Sequence, residues 1–195
     1  MYVMKEKLKR SRELGMNGGM ELNFDDKRTK AGVKGEVFLR LHDKNTGELL
    51  EEQRHNVITD AASVLIARLV KDNTEPLHGA WVLGLGTGSS GWDLQDPPAA
   101  TAAQTALEAE LIRKTFSSTN FITPTGTISA TPTNIVDLTT VFTESEAVGP
   151  LVEMGLFGGD VTLTAGSGTL INYLTFKVIN KSNTSILTLV WRLTF

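Results

Sequence analysis

The feature that most constrains this chain is a period-two alternation that runs to its last residue: Leu187, Leu189, Trp191, Leu193 and Phe195 fall on one face of a single stretch. Only an extended strand places residues i, i+2 and i+4 on one side, so this stretch predicts a β-strand with its apolar face on a core and no tail beyond Phe195. The same period recurs in Val136, Leu138, Thr140 and Phe142. Residues 101 to 195 hold 19 threonines and only 12 charged side chains, and threonine suits a pleated, half-buried surface. Turn signals at Pro124-Thr125-Gly126, Gly158-Gly159-Asp160, Gly166-Ser167-Gly168 and Lys181-Ser182-Asn183 divide this half into short strands, the spacing of an antiparallel sandwich or barrel.

The segment upstream begins with a hairpin signal. Glu36 to Asp43 and Glu48 to Thr59 flank Lys44-Asn45-Thr46-Gly47, a short loop with glycine placed late. Thr59 or Asp60 then caps a helix whose Ala62, Leu65, Ile66 and Leu69 follow the i, i+3, i+4, i+7 pattern, so one face should pack on a sheet. Trp81 to Leu85 is a continuous apolar run of strand length, expected to be buried on both faces. From Ala99 to Glu110 propensity allows a helix, and an extended edge segment fits equally well.

Residues 1 to 34 differ from the rest. Nine cations, among them Lys5, Lys7, Lys9, Arg10, Arg12, Lys27, Arg28 and Lys30, outnumber five acids, and apolar residues are few and unpatterned. Glycines interrupt the segment too often for a stable helix. The expectation is a mobile or partner-bound, extended basic arm over residues 1–34, for which docking on an acidic protein surface is favoured over neutralising phosphates and a merely solvated tail is the plain alternative, followed by one β domain over 35–195. The chain's net charge of -3 argues against nucleic acid as the main partner of the whole. The chain holds no cysteine, so disulfides, thiol catalysis and zinc-knuckle spacings are excluded. No apolar run reaches the roughly 20 residues that span a bilayer, so no membrane role is expected.

Tests for chemistry return structural readings. Gly86-Thr87-Gly88-Ser89-Ser90-Gly91 matches the dinucleotide-binding spacing, but Trp92 to Pro98 reads as loop where that site needs a helix N-terminus. Gly84, Gly86, Gly88 and Gly91 are therefore expected to form a structural turn where backbones approach closely. His42 and His55 could face each other across the hairpin, and His78 stands apart; none has a second ligand type at metal-site spacing. Glu144 and Glu146, two apart on a strand-like stretch, would point the same way as a carboxylate pair, yet no aromatic platform or base accompanies them. Ser89, Ser90 and Ser167 lack a neighbouring base. No catalytic residue, metal or cofactor is expected.

The order of elements resembles a group of small virion proteins of tailed bacteriophages. The resemblance covers about residues 33 to 195. It begins with Val37-Phe38-Leu39-Arg40, Asn45-Thr46-Gly47-Glu48-Leu49 and Asn56-Val57-Ile58-Thr59. Leu85-Gly86-Thr87-Gly88 and Thr105 to Glu110 with Arg113 follow, then Val141 to Ala147, Glu153-Met154-Gly155-Leu156-Phe157 and Trp191 to Phe195. It implies a mainly β chain, an antiparallel, jelly-roll-like β-sandwich with one short packed helix, built into a virion in many copies after assembly in the host cytoplasm. The partners it implies are other proteins of the tail, fibre, baseplate or collar, or of a capsid that the chain decorates as cement. A homo-oligomer is expected, because exposed edges of a low-charge sheet need covering. A carbohydrate-binding receptor module is the reading from another class, with Trp92 as its contact residue and Trp81 and Trp191 in the core.

Overall fold

The computed structural model describes residues 32–71 and 78–195. Its chain runs through β1 (Lys34–Asp43), β2 (Leu49–His55), β3 (Val57–Ile58), a helix α1 (Asp60–Lys71) and β4 (His78–Gly86). It continues through β5 (Glu110–Thr115), β6 (Ser118–Phe121), β7 (Ile135–Phe142), β8 (Gly149–Gly159), β9 (Thr169–Lys181) and β10 (Ser185–Thr194). The strands form two five-stranded sheets in the orders β2-β1-β10-β7-β6 and β3-β9-β8-β4-β5. All pairings are antiparallel. The fold is thus a mainly β sandwich with one short helix, and its two sheets of five compare with the eight strands of a jelly roll.

Alternation fixes which side of each strand faces inward. Val37 and Leu39 of β1, Leu138 and Phe142 of β7, and Leu187, Leu189, Trp191 and Leu193 of β10 meet Leu83, Leu85, Met154, Leu156, Leu174 and Phe176 of the second sheet in one buried core. The strand signal of the last residues holds through Leu193. Phe195 departs from it: the pairing with β7 ends at Thr194, the last side chain is 58% exposed, and only its backbone is held, by Asn134.

The second sheet is buried on both faces, as the continuous run Trp81 to Leu85 predicts. Its far face carries Val82, Phe157, Leu170 and Tyr173, packed with Leu107, Val161, Trp81 and Ala100. The covering layer is α1, which packs on β9, and the segment between β4 and β5. Ala62 and Leu65 of α1 are buried, whereas Ile66, expected on the same face, is 37% exposed; the side chain of Leu69 lies outside the described residues. Thr59 supplies the cap, its hydroxyl accepting the Ala62 amide at 3.2 Å.

The segment 99–109 is irregular and not helical. Its backbone groups bond outward to other elements, which outweighs alanine's helix propensity: the Ala102 carbonyl accepts from Asp60 N and the Ala109 carbonyl from Thr87 N, and just ahead of the segment the Pro98 carbonyl accepts from the Thr175 hydroxyl. The hairpin forms as its loop signal predicts, with the Asp43 carboxylate accepting the Asn45 and Thr46 amides at 2.9 Å each. Between β2 and β3 the chain leaves the first sheet for the second at Asn56. The oxygen of its side-chain amide accepts from Trp191 Nε1 and Asn172 Nδ2, both at 3.0 Å, so one residue joins the two layers.

Candidate functional site

Three segments far apart in sequence meet on the outer face of the second sheet. Gly84 of β4 and Gly155 of β8 are register partners, and the side chain of Leu107 sits over the pair: a Cβ on either glycine would come within 3.2 Å of a Leu107 methyl. The missing side chains leave a hole in the sheet surface that Leu107 fills together with Phe157, which approaches closer still at Gly84, and Leu170, which approaches closer still at Gly155. Gly84 therefore acts inside a strand and not in the turn expected of it. Gly86 closes β4 with no room for a Cβ between Glu153 and the Ala109 carbonyl. Gly88 has φ of +70° and packs against the Trp92 ring, so both its conformation and its surroundings exclude a side chain. Gly91 is exposed with open space around it, and close approach is not what places glycine there.

The turn closes on a buried carboxylate. Glu153 is 0% exposed on β8, in a run that is otherwise apolar. Its Oε1 accepts the amides of Gly88 at 3.1 Å and Ala109 at 2.9 Å, and its Oε2 accepts the Glu108 amide at 2.9 Å and the Tyr173 hydroxyl at 2.8 Å. Burying a carboxylate is tolerable only when such donors replace water. The Tyr173 phenol is pushed above its usual value, first by burial and then by its bond to Glu153. The glycine-rich turn thus directs an amide at an anion, as dinucleotide loops do, but the anion is the chain's own Glu153. The residues after it, 92–98, are turns and irregular backbone where a dinucleotide site needs a helix.

Next to this cluster Arg113 of β5 is buried and forms a forked ion pair with Glu110, with Nη2 donating to Oε2 at 3.0 Å. Its Nη1 donates to the Ser167 carbonyl at 2.8 Å and the guanidinium lies 4.1 Å from the Phe157 ring centre, so it pins the loop between β8 and β9. Ser167 is committed to the same loop through Thr162 and Thr164. Thr87, Ser89, Ser90, Trp92, Leu94 and Glu108 line an open depression of about 660 Å³ on the outside of the turn. Trp92 is half-buried there; of the other tryptophans, Trp191 is in the core and Trp81 is half-buried against the outer cluster.

The structure separates the other pairs that the sequence suggested. Glu144 and Glu146 lie in the turn after β7, not on a strand, and each has its own cation: Lys44 for Glu144 and Lys114 for Glu146. These hydrogen bonds hold both carboxyls below the ordinary glutamate value. Beside them the buried Lys181 donates to the Thr143 carbonyl at 2.8 Å and the Glu144 carbonyl at 3.2 Å, and burial lowers its ammonium from the usual lysine value. His42 and His55 do not face each other: His42 is opposite Leu49 and His55 opposite Glu36, at the two ends of the hairpin. His78 opens β4. Among the described residues no three histidine, aspartate or glutamate side chains gather as metal ligands, and no helix is long and apolar enough to cross a membrane.

Large apolar side chains stand exposed at the sheet margins, among them Leu49 and Leu50 of β2, Leu111 of β5 and Phe121 of β6. The basic residues Lys5, Lys7, Lys9, Arg10, Arg12, Lys27, Arg28 and Lys30 lie outside the described residues. No protein family matches this chain, and a search of curated proteins finds no match.

Sequence reasoning missed Glu153, Arg113 and Lys181 as buried charges. A signal existed for the first: a lone acid inside Leu151 to Phe157 must either break that strand or be met by donors.

Proposed function

We propose that the chain is a structural component of a tailed-bacteriophage virion, present in multiple copies in the tail, fibre or collar region. The phage assignment rests on the resemblance in motif order. The observation that supports assembly is the set of apolar side chains on strands at the sheet margins, Leu49, Leu50, Leu111 and Phe121, which a neighbouring subunit would remove from water. The polar groups of the glycine cluster are already satisfied internally, so this face reads as scaffold: Glu153 accepts from four donors and Arg113 from its side holds a loop.

The test is to isolate gradient-purified particles from cells in which the gene is expressed during productive phage infection, then to part heads from tails and quantify the chain in each. The expected result is several copies per particle, travelling with tails. Travel with the head shell replaces this reading with capsid decoration, and absence from the particles refutes both.

A further inference from the structure

The glycine turn has two sides. Its inner side is taken by Glu153, but its outer side, the open depression of about 660 Å³, carries polar groups that the fold does not use. Such a volume lies within the roughly 300 to 1,000 Å³ of small-molecule sites. The hydroxyls of Thr87, Ser89 and Ser90 line it, and among the described residues none of the three has a hydrogen-bond partner. Glu108 joins them from the segment between β4 and β5: its Oε1 accepts from Gln104 Nε2 at 3.0 Å, and its Oε2 has no donor among the described residues. The half-buried side chains of Trp92 and Leu94 add an apolar surface.

The lining is held in place before any ligand arrives. The six-membered ring of Trp92 rests on Gly88, where a Cβ would fall 2.5 Å from Trp92 Cε3, and the Trp92 amide donates to the Ser89 carbonyl at 3.0 Å. The Leu94 carbonyl accepts from the Val178 amide of β9 at 2.8 Å, and the amides of Gly88 and Glu108 are fixed on Glu153. Groups ordered in this way lose little freedom on binding. The donor set also selects. None of the described lining residues is a lysine or arginine, and the one charge among them is the Glu108 carboxylate, which disfavours phosphates and acidic sugars. A quaternary ammonium is best held by several aromatic faces and would leave three hydroxyls unused. A neutral hexopyranose matches both halves of the lining: its C–H face lies on an indole, and its hydroxyls donate to a carboxylate and exchange hydrogen bonds with serine and threonine.

We propose that this depression binds a neutral hexopyranose ring, with Trp92 as the platform, Glu108 as the acceptor of a sugar hydroxyl, and Thr87, Ser89 and Ser90 as the polar rim. The ring is a free sugar or one unit of a glycan chain, and the chemistry that recognises it is the same. This goes beyond the assembly reading and does not rest on it: absence of the chain from purified particles removes that reading and leaves the sugar site standing.

The test titrates the full-length protein with the methyl pyranosides of glucose, galactose, mannose and N-acetylglucosamine, with maltotriose, cellotriose and chitotriose, and with choline and sialyllactose as charged probes. Saturation-transfer NMR and tryptophan fluorescence follow the binding. The expected result is transfer to a neutral sugar together with a change in tryptophan emission. Trp92→Ala should weaken that binding about tenfold or more, and Ser90→Ala and Glu108→Gln, both at exposed positions, about threefold each. Thr131→Ala, in the loop between β6 and β7, should leave it unchanged. A trisaccharide that binds more tightly than its monosaccharide identifies a glycan chain as the source, and equal affinity a single sugar; either supports the site. Transfer to no neutral probe overturns the proposal, and so does tighter binding of choline or sialyllactose than of every neutral sugar. Affinity unchanged in Trp92→Ala, or in both Ser90→Ala and Glu108→Gln, overturns it as well; that pair decides alone where urea melts show that Trp92→Ala does not fold.

Discussion

Replacing Glu153 by glutamine tests whether the carboxylate holds the glycine turn. Glutamine keeps the shape and offers one oxygen and one NH2. If the NH2 takes the place of Oε1, it points at two donors, the amides of Gly88 and Ala109; if it takes the place of Oε2, it points at the Glu108 amide and the Tyr173 hydroxyl. The second orientation is the cheaper one, because a hydroxyl can turn round and accept. It still loses one bond to a charged group, about 1.5 to 3 kcal/mol, and leaves one amide without a partner, about 1 to 3 kcal/mol. Glu153→Gln should therefore destabilise the fold by about 3 to 5 kcal/mol, which for a chain of this size lowers the midpoint of thermal unfolding by about 6 to 20 °C. Urea melts followed by tryptophan fluorescence give the value directly, with the slope against denaturant unchanged. Tyr173→Phe should cost less, and the two changes should be strongly non-additive, because they share one hydrogen bond. A loss below about 1 kcal/mol for Glu153→Gln would refute the account, since it would mean that the amides find other acceptors at little cost.

Leu107→Ala should cost about 3 kcal/mol in the same assay, because the glycines beneath it have no side chains that could move in to fill the gap; Leu163→Ala, at an exposed position, should change stability by less than about 0.5 kcal/mol, and equal losses would reject the plug. Asp43 has its carboxyl lowered to about 2 by the amide of Thr46, the hydroxyl of Thr184 and the amide of Asn45. A depressed folded-state pKa contributes stability that is complete above the unfolded value of about 3.9 and is lost as pH falls toward the folded value. Asp43→Asn should flatten the stability curve between about pH 4 and pH 2 and run parallel to wild type above about pH 5; an unchanged acid slope would show that the loop bonds do not persist in solution.

Sequence periodicity carried further here than spacing did. Alternation in β7 and β10 named the core faces, and the unbroken run Trp81 to Leu85 foretold a sheet buried on both sides, because both depend only on which side of a strand a residue takes. The segment 99–109 offered no such local rule. Its alanines favour a helix, and what decides against one is a set of donors and acceptors supplied by the first residue of α1, by the turn after β4 and by Glu153. None of these is near it in sequence. The candidate site was legible to the same extent. The glycines announced a place where backbones crowd, but the same spacing serves a phosphate or a buried acid, and only the fold brings Glu153 there from β8. A glycine-rich loop read from sequence is thus a statement that amides are exposed to something anionic; whether that anion is a ligand or a strand residue of the same chain depends on whether a lone acid sits in a neighbouring apolar run, and here one does.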